Sequence, residues 1–65
     1  MIGRNIRQLR KELGMAQETL SERLGVVRTT VVNWEADRAS PDIATIRRLR
    51  AILRCTFEEL LEERE

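Results

Sequence analysis

Sixty-five residues make one small domain, 1–65, near the lower limit for a self-sufficient hydrophobic core. A single Cys rules out an internal disulfide, and the absence of His removes the usual zinc ligand sets; no apolar run approaches the roughly 20 residues of a membrane span or resembles a signal peptide. Net charge is only +1, so the expectation is a soluble cytoplasmic protein whose function lies in local pattern rather than in bulk charge.

In the first predicted helix, Ile2, Ile6, Leu9 and Leu13 recur at spacings of four, three and four. That is one buried face, with Arg4, Arg7, Arg10 and Lys11 left for solvent or phosphate, and Gly14 stops it. A second helix runs from Gln17 to Leu24, with Leu20 and Leu24 one turn apart. Gly25 tolerates the positive φ at which a helix stops and the chain turns. A third helix, from about Arg28 to Ala36, restarts the apolar stripe with Val31 and Trp34. Helices joined by so tight a turn cross steeply, as in the helix-turn-helix, which offers its second helix to the DNA major groove.

Pro41 cannot continue a preceding helix, and Asp42 is placed to cap the fourth, where Ile46, Leu49 and Leu53 share a face with Ile43 and Ile52 at its edges. The fifth opens at Thr56-Phe57-Glu58-Glu59, a capping box. No repeat, low-complexity segment or linker interrupts the chain, and the fold class is all-α with five helices. A chain this small needs Ile6, Leu9, Leu20, Leu24, Val31, Trp34, Ile46, Leu49 and Leu53 inside. Trp34 therefore reads as core rather than as a base-stacking platform, and Cys55 as an inert buried thiol.

Charge is unevenly spread. Residues 1–54 hold eleven basic groups against six acids, a balance of +5; residues 55–65 hold Arg64 against five Glu, a balance of −4. One DNA-facing surface and one turned away would give this asymmetry.

With those elements in place, the chain from residue 2 to about 61 resembles the Cro/C1-type repressor helix-turn-helix family. The resemblance rests on Ile6-Arg7-Gln8-Leu9-Arg10, on Gln17-Glu18-Thr19-Leu20, and on Leu24-Gly25-Val26 at the turn. Trp34-Glu35, Pro41 and Phe57-Glu58-Glu59-Leu60-Leu61 follow in order. It implies a compact lambda-repressor-like domain that binds duplex DNA sequence-specifically as a repressor-type transcriptional regulator, usually a homodimer on a palindromic operator. The third helix is then the recognition helix, with Val27, Arg28, Thr29 and Asn33 facing bases and Val32 either facing a thymine methyl or simply exposed. Gln17, Arg38, Thr30 and Arg10 or Arg7 fall to the phosphate backbone. The plain alternative for each is a solvated side chain, and that reading is preferred for Arg47, Arg48 and Arg54.

The chain departs from the family pattern at four places. Ala16 and Val27 stand where Ser or Thr usually caps the second and third helices, Asp37 replaces a glycine, and Arg50 replaces a small buried residue. For assembly, Ile52, Phe57, Leu60 and Leu61 form the expected two-fold patch, rimmed by Glu58, Glu59, Glu62 and Glu63. The alternative is that Phe57 and Leu60 close the monomer core. A competing function on the same scaffold is an antitoxin or protein-interaction adaptor working through its acidic last helix. Without His or nucleophile–base spacing an enzyme is not expected, and no residue suggests a cofactor, metal or small-molecule ligand.

Overall fold

A computed structural model describes residues 2–62; the expectations for Glu63, Arg64 and Glu65 lie outside them. The helices are α1 Ile2–Glu12, α2 Gln17–Leu24, α3 Arg28–Glu35, α4 Ile43–Leu53 and α5 Phe57–Leu61, with no strand among the described residues. Helix α1 packs across α3 and α5, while α2 packs against α3 and α4. All nine apolar residues expected inside are buried, joined by Cys55 and Leu60, with Ile2, Met15, Val26 and Ile52 packed against them.

Four helices end in one backbone motif, in which a left-handed residue lets the chain fold back onto the last carbonyls. Gly14 N–H reaches Lys11 O and Met15 N–H reaches Arg10 O, both at 3.0 Å. At Gly25 (φ 72°) the matching bonds run to Glu22 O and, from Val26, to Ser21 O. This closes the tight turn that sets α2 across α3. Asp37 does the same after α3 at φ 58°, in the glycine place noted from the sequence, and Arg54 does so after α4 at φ 54°. At the other ends, the Thr56–Glu59 capping box is formed, and the Asp42 carboxylate accepts from Thr45 N–H at 2.8 Å. Ala16 and Val27 cap α2 and α3 with no side-chain hydrogen bond.

Three expectations change. Leu13 is 40% exposed, because the helix has ended at Glu12 and the chain is already turning away from the core. Ile43, expected at the edge of the α4 face, is 67% exposed at the first helical position. Leu60, expected at a dimer interface, is fully buried in the monomer core.

Gly3 and Asn5 hold α1 in place. Gly3 lies against the end of α3, where an added Cβ would collide with the Trp34 carbonyl oxygen and crowd Asp37 Oδ1. Asn5, fully buried, donates through Nδ2 to the carbonyls of Leu60 (2.7 Å) and Glu62 (2.5 Å), tying the chain beyond α5 to the start of α1.

Two tests follow from these helix ends. Ala16→Ser gives an orphan N–H of α2 a partner and should raise stability by about 0.5–2 kcal/mol in thermal unfolding. For Asp42, hydrogen bonds from the Thr45 side chain and then its backbone lower the carboxyl pKa below 3.8. A lowered folded-state value means that the cap contributes fully above the ordinary value and is lost as pH falls through the folded one. The melting-temperature gap between wild type and Asp42→Ala should therefore be constant near neutrality and shrink below pH 3.8.

Candidate nucleic-acid interface

The centre of the site is an ion pair formed between residues 25 apart in the chain. Arg10 and Glu35 have side chains only 9% and 4% exposed. They meet as two parallel bonds, Nε to Oε2 at 2.8 Å and a terminal guanidinium nitrogen to Oε1 at 3.0 Å. The remaining terminal nitrogen of Arg10 donates to Met15 O at 2.7 Å. This planar fork suits a carboxylate better than a lysine would, and it satisfies both buried charges.

From Glu35 the network runs outward. Gln17 Nε2 donates to Glu35 Oε1 at 3.1 Å, and Arg28 donates to Gln17 Oε1 at 3.3 Å. The start of α2 and the start of α3 are thus tied together through one amide. The Gln17 amide donates through Nε2 and accepts through Oε1, which orients its side chain and holds one end of the otherwise exposed Arg28 fork.

Around this network the base-facing candidates gather on one surface. Val27, at the head of α3, is 69% exposed, and Arg28 and Thr29 follow it into solvent. Asn33 lies one turn on and is half-buried; Thr30 is half-buried, its N–H donating to Val27 O at 3.0 Å. Arg38 is exposed just past α3, its N–H bonded to Asn33 O at 2.9 Å. Val32 lines a shallow cleft with Arg7, Gln17, Ala36 and the Arg10–Glu35 pair. Arg7 is exposed at that cleft.

Arg10 is the correction. It was expected to reach a phosphate, but its guanidinium is committed inside the protein. Glu35 was overlooked as a partner. The available signal was a charged residue of each sign beside apolar core positions, Leu9 and Trp34.

The assembly residues divide. Phe57 and Leu61 are 41% and 53% exposed and share a shallow groove with Glu58 and Glu62. Ile52 is half-buried in a different cleft, with Leu13, Met15, Thr19, Arg23 and Arg54. Among the described residues, no three His, Cys, Asp or Glu side chains gather to hold a metal, and no helix is long and apolar enough to cross a membrane.

The helix-turn-helix family pattern matches residues 6–60, from the start of the α1 core to Leu60. This chain belongs to that family, in its Cro/C1-type branch. Among relatives of this helix-turn-helix chain, an uncharacterized HTH-type transcriptional regulator of Methanothermobacter thermautotrophicus is 45% identical over 56 residues, covering 85% of this chain and 81% of its own. The HTH-type transcriptional activator BcrR of Enterococcus faecalis is 32% identical over 60 residues, covering 92% of this chain but 29% of its own length. The fold is that of the P22 c2 repressor, solved in complex with a synthetic operator (TM-score 0.87, 29% identity, 95% and 94% of the two chains). It is equally that of SinR, a master regulator of biofilm formation solved in complex with DNA (TM-score 0.86, 32% identity, 95% and 100%).

Glu35→Gln should remove the counter-charge and leave Arg10 buried and unpaired, a loss of about 3–5 kcal/mol. Thermal or denaturant unfolding measures it. A change below about 1 kcal/mol would mean that the pair opens to water.

Proposed function

We propose that this chain is a sequence-specific, double-stranded-DNA-binding transcriptional regulator of repressor type, cytoplasmic, that places the first turn of α3 in the major groove. The observation that carries the reading is the exposure of Val27, Arg28 and Thr29 at the head of a helix whose other end is fastened by the Arg10–Glu35 pair. The DNA complexes of the P22 c2 repressor and SinR, which share the fold, support it. So do the regulator relatives.

In this reading Arg28 bridges O6 and N7 of a guanine, Asn33 pairs with N6 and N7 of an adenine, and the Val27 and Thr29 methyls pack on thymine methyls. The bond from Arg28 to Gln17 restrains the arginine before DNA arrives, which lowers the ordering cost on binding. Gln17, Thr30, Arg38 and Arg7 serve the phosphates. Arg10 is left out and acts through Glu35 and Gln17.

One recognition helix covers few base pairs, so specificity calls for two half-sites about 34–36 Å apart and a homodimer on a palindrome. Of the four residues expected there, Phe57 and Leu61 are exposed and serve that contact; Leu60 belongs to the core and Ile52 to another cleft.

An unbiased selection of bound sequences tests the reading as a whole and should return a palindrome. Arg28→Ala should then cost about 1–3 kcal/mol on the selected site and relax preference at one base pair per half-site. Arg38→Ala should weaken selected and random DNA by similar factors, whereas Gln17→Ala, which also frees Arg28, should weaken the selected site more. An unchanged selected sequence for Arg28→Ala would remove Arg28 from the base-reading set. No enrichment at all, with a salt-resistant complex to an unrelated protein, would turn the function to the adaptor reading.

A further inference from the structure

Arg50, on the exposed side of α4, holds its guanidinium carbon 4.9 Å from the centroid of the Phe57 ring. Phe57 and Leu61, one turn apart on α5, are both substantially exposed, and the groove they line is bordered by Glu58 and Glu62, also one turn apart. The other carboxylate within α5, Glu59, is occupied in the capping box, where it accepts from Thr56 N–H at 3.0 Å. One small surface therefore presents an apolar pair, a cation stacked on its aromatic member, and two carboxylates beside it.

We propose that a second copy of this chain covers that surface, and that Arg50 of each copy pairs with Glu58 and Glu62 of the other across a two-fold axis. The inference rests on the homodimer reading above and names the residue that selects the partner. A two-fold contact sets a patch against itself, so its charges attract only if both signs lie on the patch. Two α5 helices meeting alone would bring four carboxylates together with no cation between them, a repulsive arrangement. Arg50 is the positive group stacked on the Phe57 ring of that surface. The apolar part is too small to hold the copies by itself. An interface of ordinary size takes about 800 Å² from each partner, close to a fifth of the 4342 Å² surface here, whereas α5 has five residues. Covering the second side of the Phe57 ring also withdraws the arginine–ring contact from water, where it is stronger.

The test uses the full chain in sedimentation equilibrium, with Arg50→Glu, with Glu58→Lys/Glu62→Lys, and with an equimolar mixture of the two. Each variant alone sets like charges across the axis and should dimerise at least about tenfold more weakly than wild type. The mixture sets unlike charges at both contacts and should recover as a heterodimer to within a few-fold. If wild type dimerises but the variants alone do so equally, or the mixture fails to recover, the Arg50 pairing is wrong while the homodimer stands. If wild type is monomeric at high micromolar concentration and on its selected operator, the homodimer reading falls with it. Should a charge reversal unfold the chain, Arg50→Gln and Glu58→Gln/Glu62→Gln replace it. Wild-type dimerisation should then weaken with salt and that of the neutral variants should not; equal salt dependence overturns the pairing.

Discussion

The buried fork between Arg10 and Glu35 is the constraint on which the rest of this protein's working surface depends. It joins α1 to the last residue of α3 and, through Gln17, fixes the start of α2. A buried pair of this kind adds little net stability over an apolar pair of the same shape, because desolvation offsets the attraction. In this placement of α1, α2 and α3, both charges, the Met15 carbonyl and the Gln17 amide are satisfied together. With that end of α3 fastened, its first turn is left projecting, which is the geometry a groove-reading helix needs.

The helix termini divide along the same line. Helices α2 and α3, whose starts adjoin the candidate interface, begin at Ala16 and Val27 without a side-chain acceptor. Helices α4 and α5 begin with Asp42 and Thr56, both making their caps, α5 with two further carboxylates in its first turn. Orphan N–H groups at a helix start suit an anion, and an acidic cap there would repel one. The missing caps reduce stability and leave those N–H groups without a side-chain acceptor, and the acidic residue in the first turn of α2 is Glu18. The −4 balance of residues 55–65 lies on the chain segment that carries α5, the helix proposed to meet a second copy.

Much of the fold was legible in the sequence because it is written in local periodicity. Spacings of three and four marked the core stripe, Gly14 and Gly25 marked helix ends, and Thr56 with Glu59 marked a cap. The errors arose where periodicity was extended past a hydrogen-bonded end, as at Leu13, or where a helix was too short to show which residues it buries, as with Leu60. What could not be read were contacts between residues far apart in the chain. Gly3 against Trp34, Asn5 against Leu60 and Arg10 against Glu35 leave no repeat in the sequence. The candidate bases-facing set needed only the position of the turn, whereas the fate of Arg10 needed the packing of α1 on α3.

The claim that α3 is fastened at one end and reads DNA at the other is tested most directly by NMR of the full chain, free and bound to its selected operator, following arginine Nε–H signals and backbone amides. The account predicts that the Arg10 Nε–H, bonded to Glu35, stays slowly exchanging and nearly unshifted in both states. The Arg28 Nε–H and the amides of Gln17, Val27 to Thr29 and Asn33 should move strongly on binding. Large shifts at Arg10, or shifts concentrated on α4 with α3 unmoved, would contradict it.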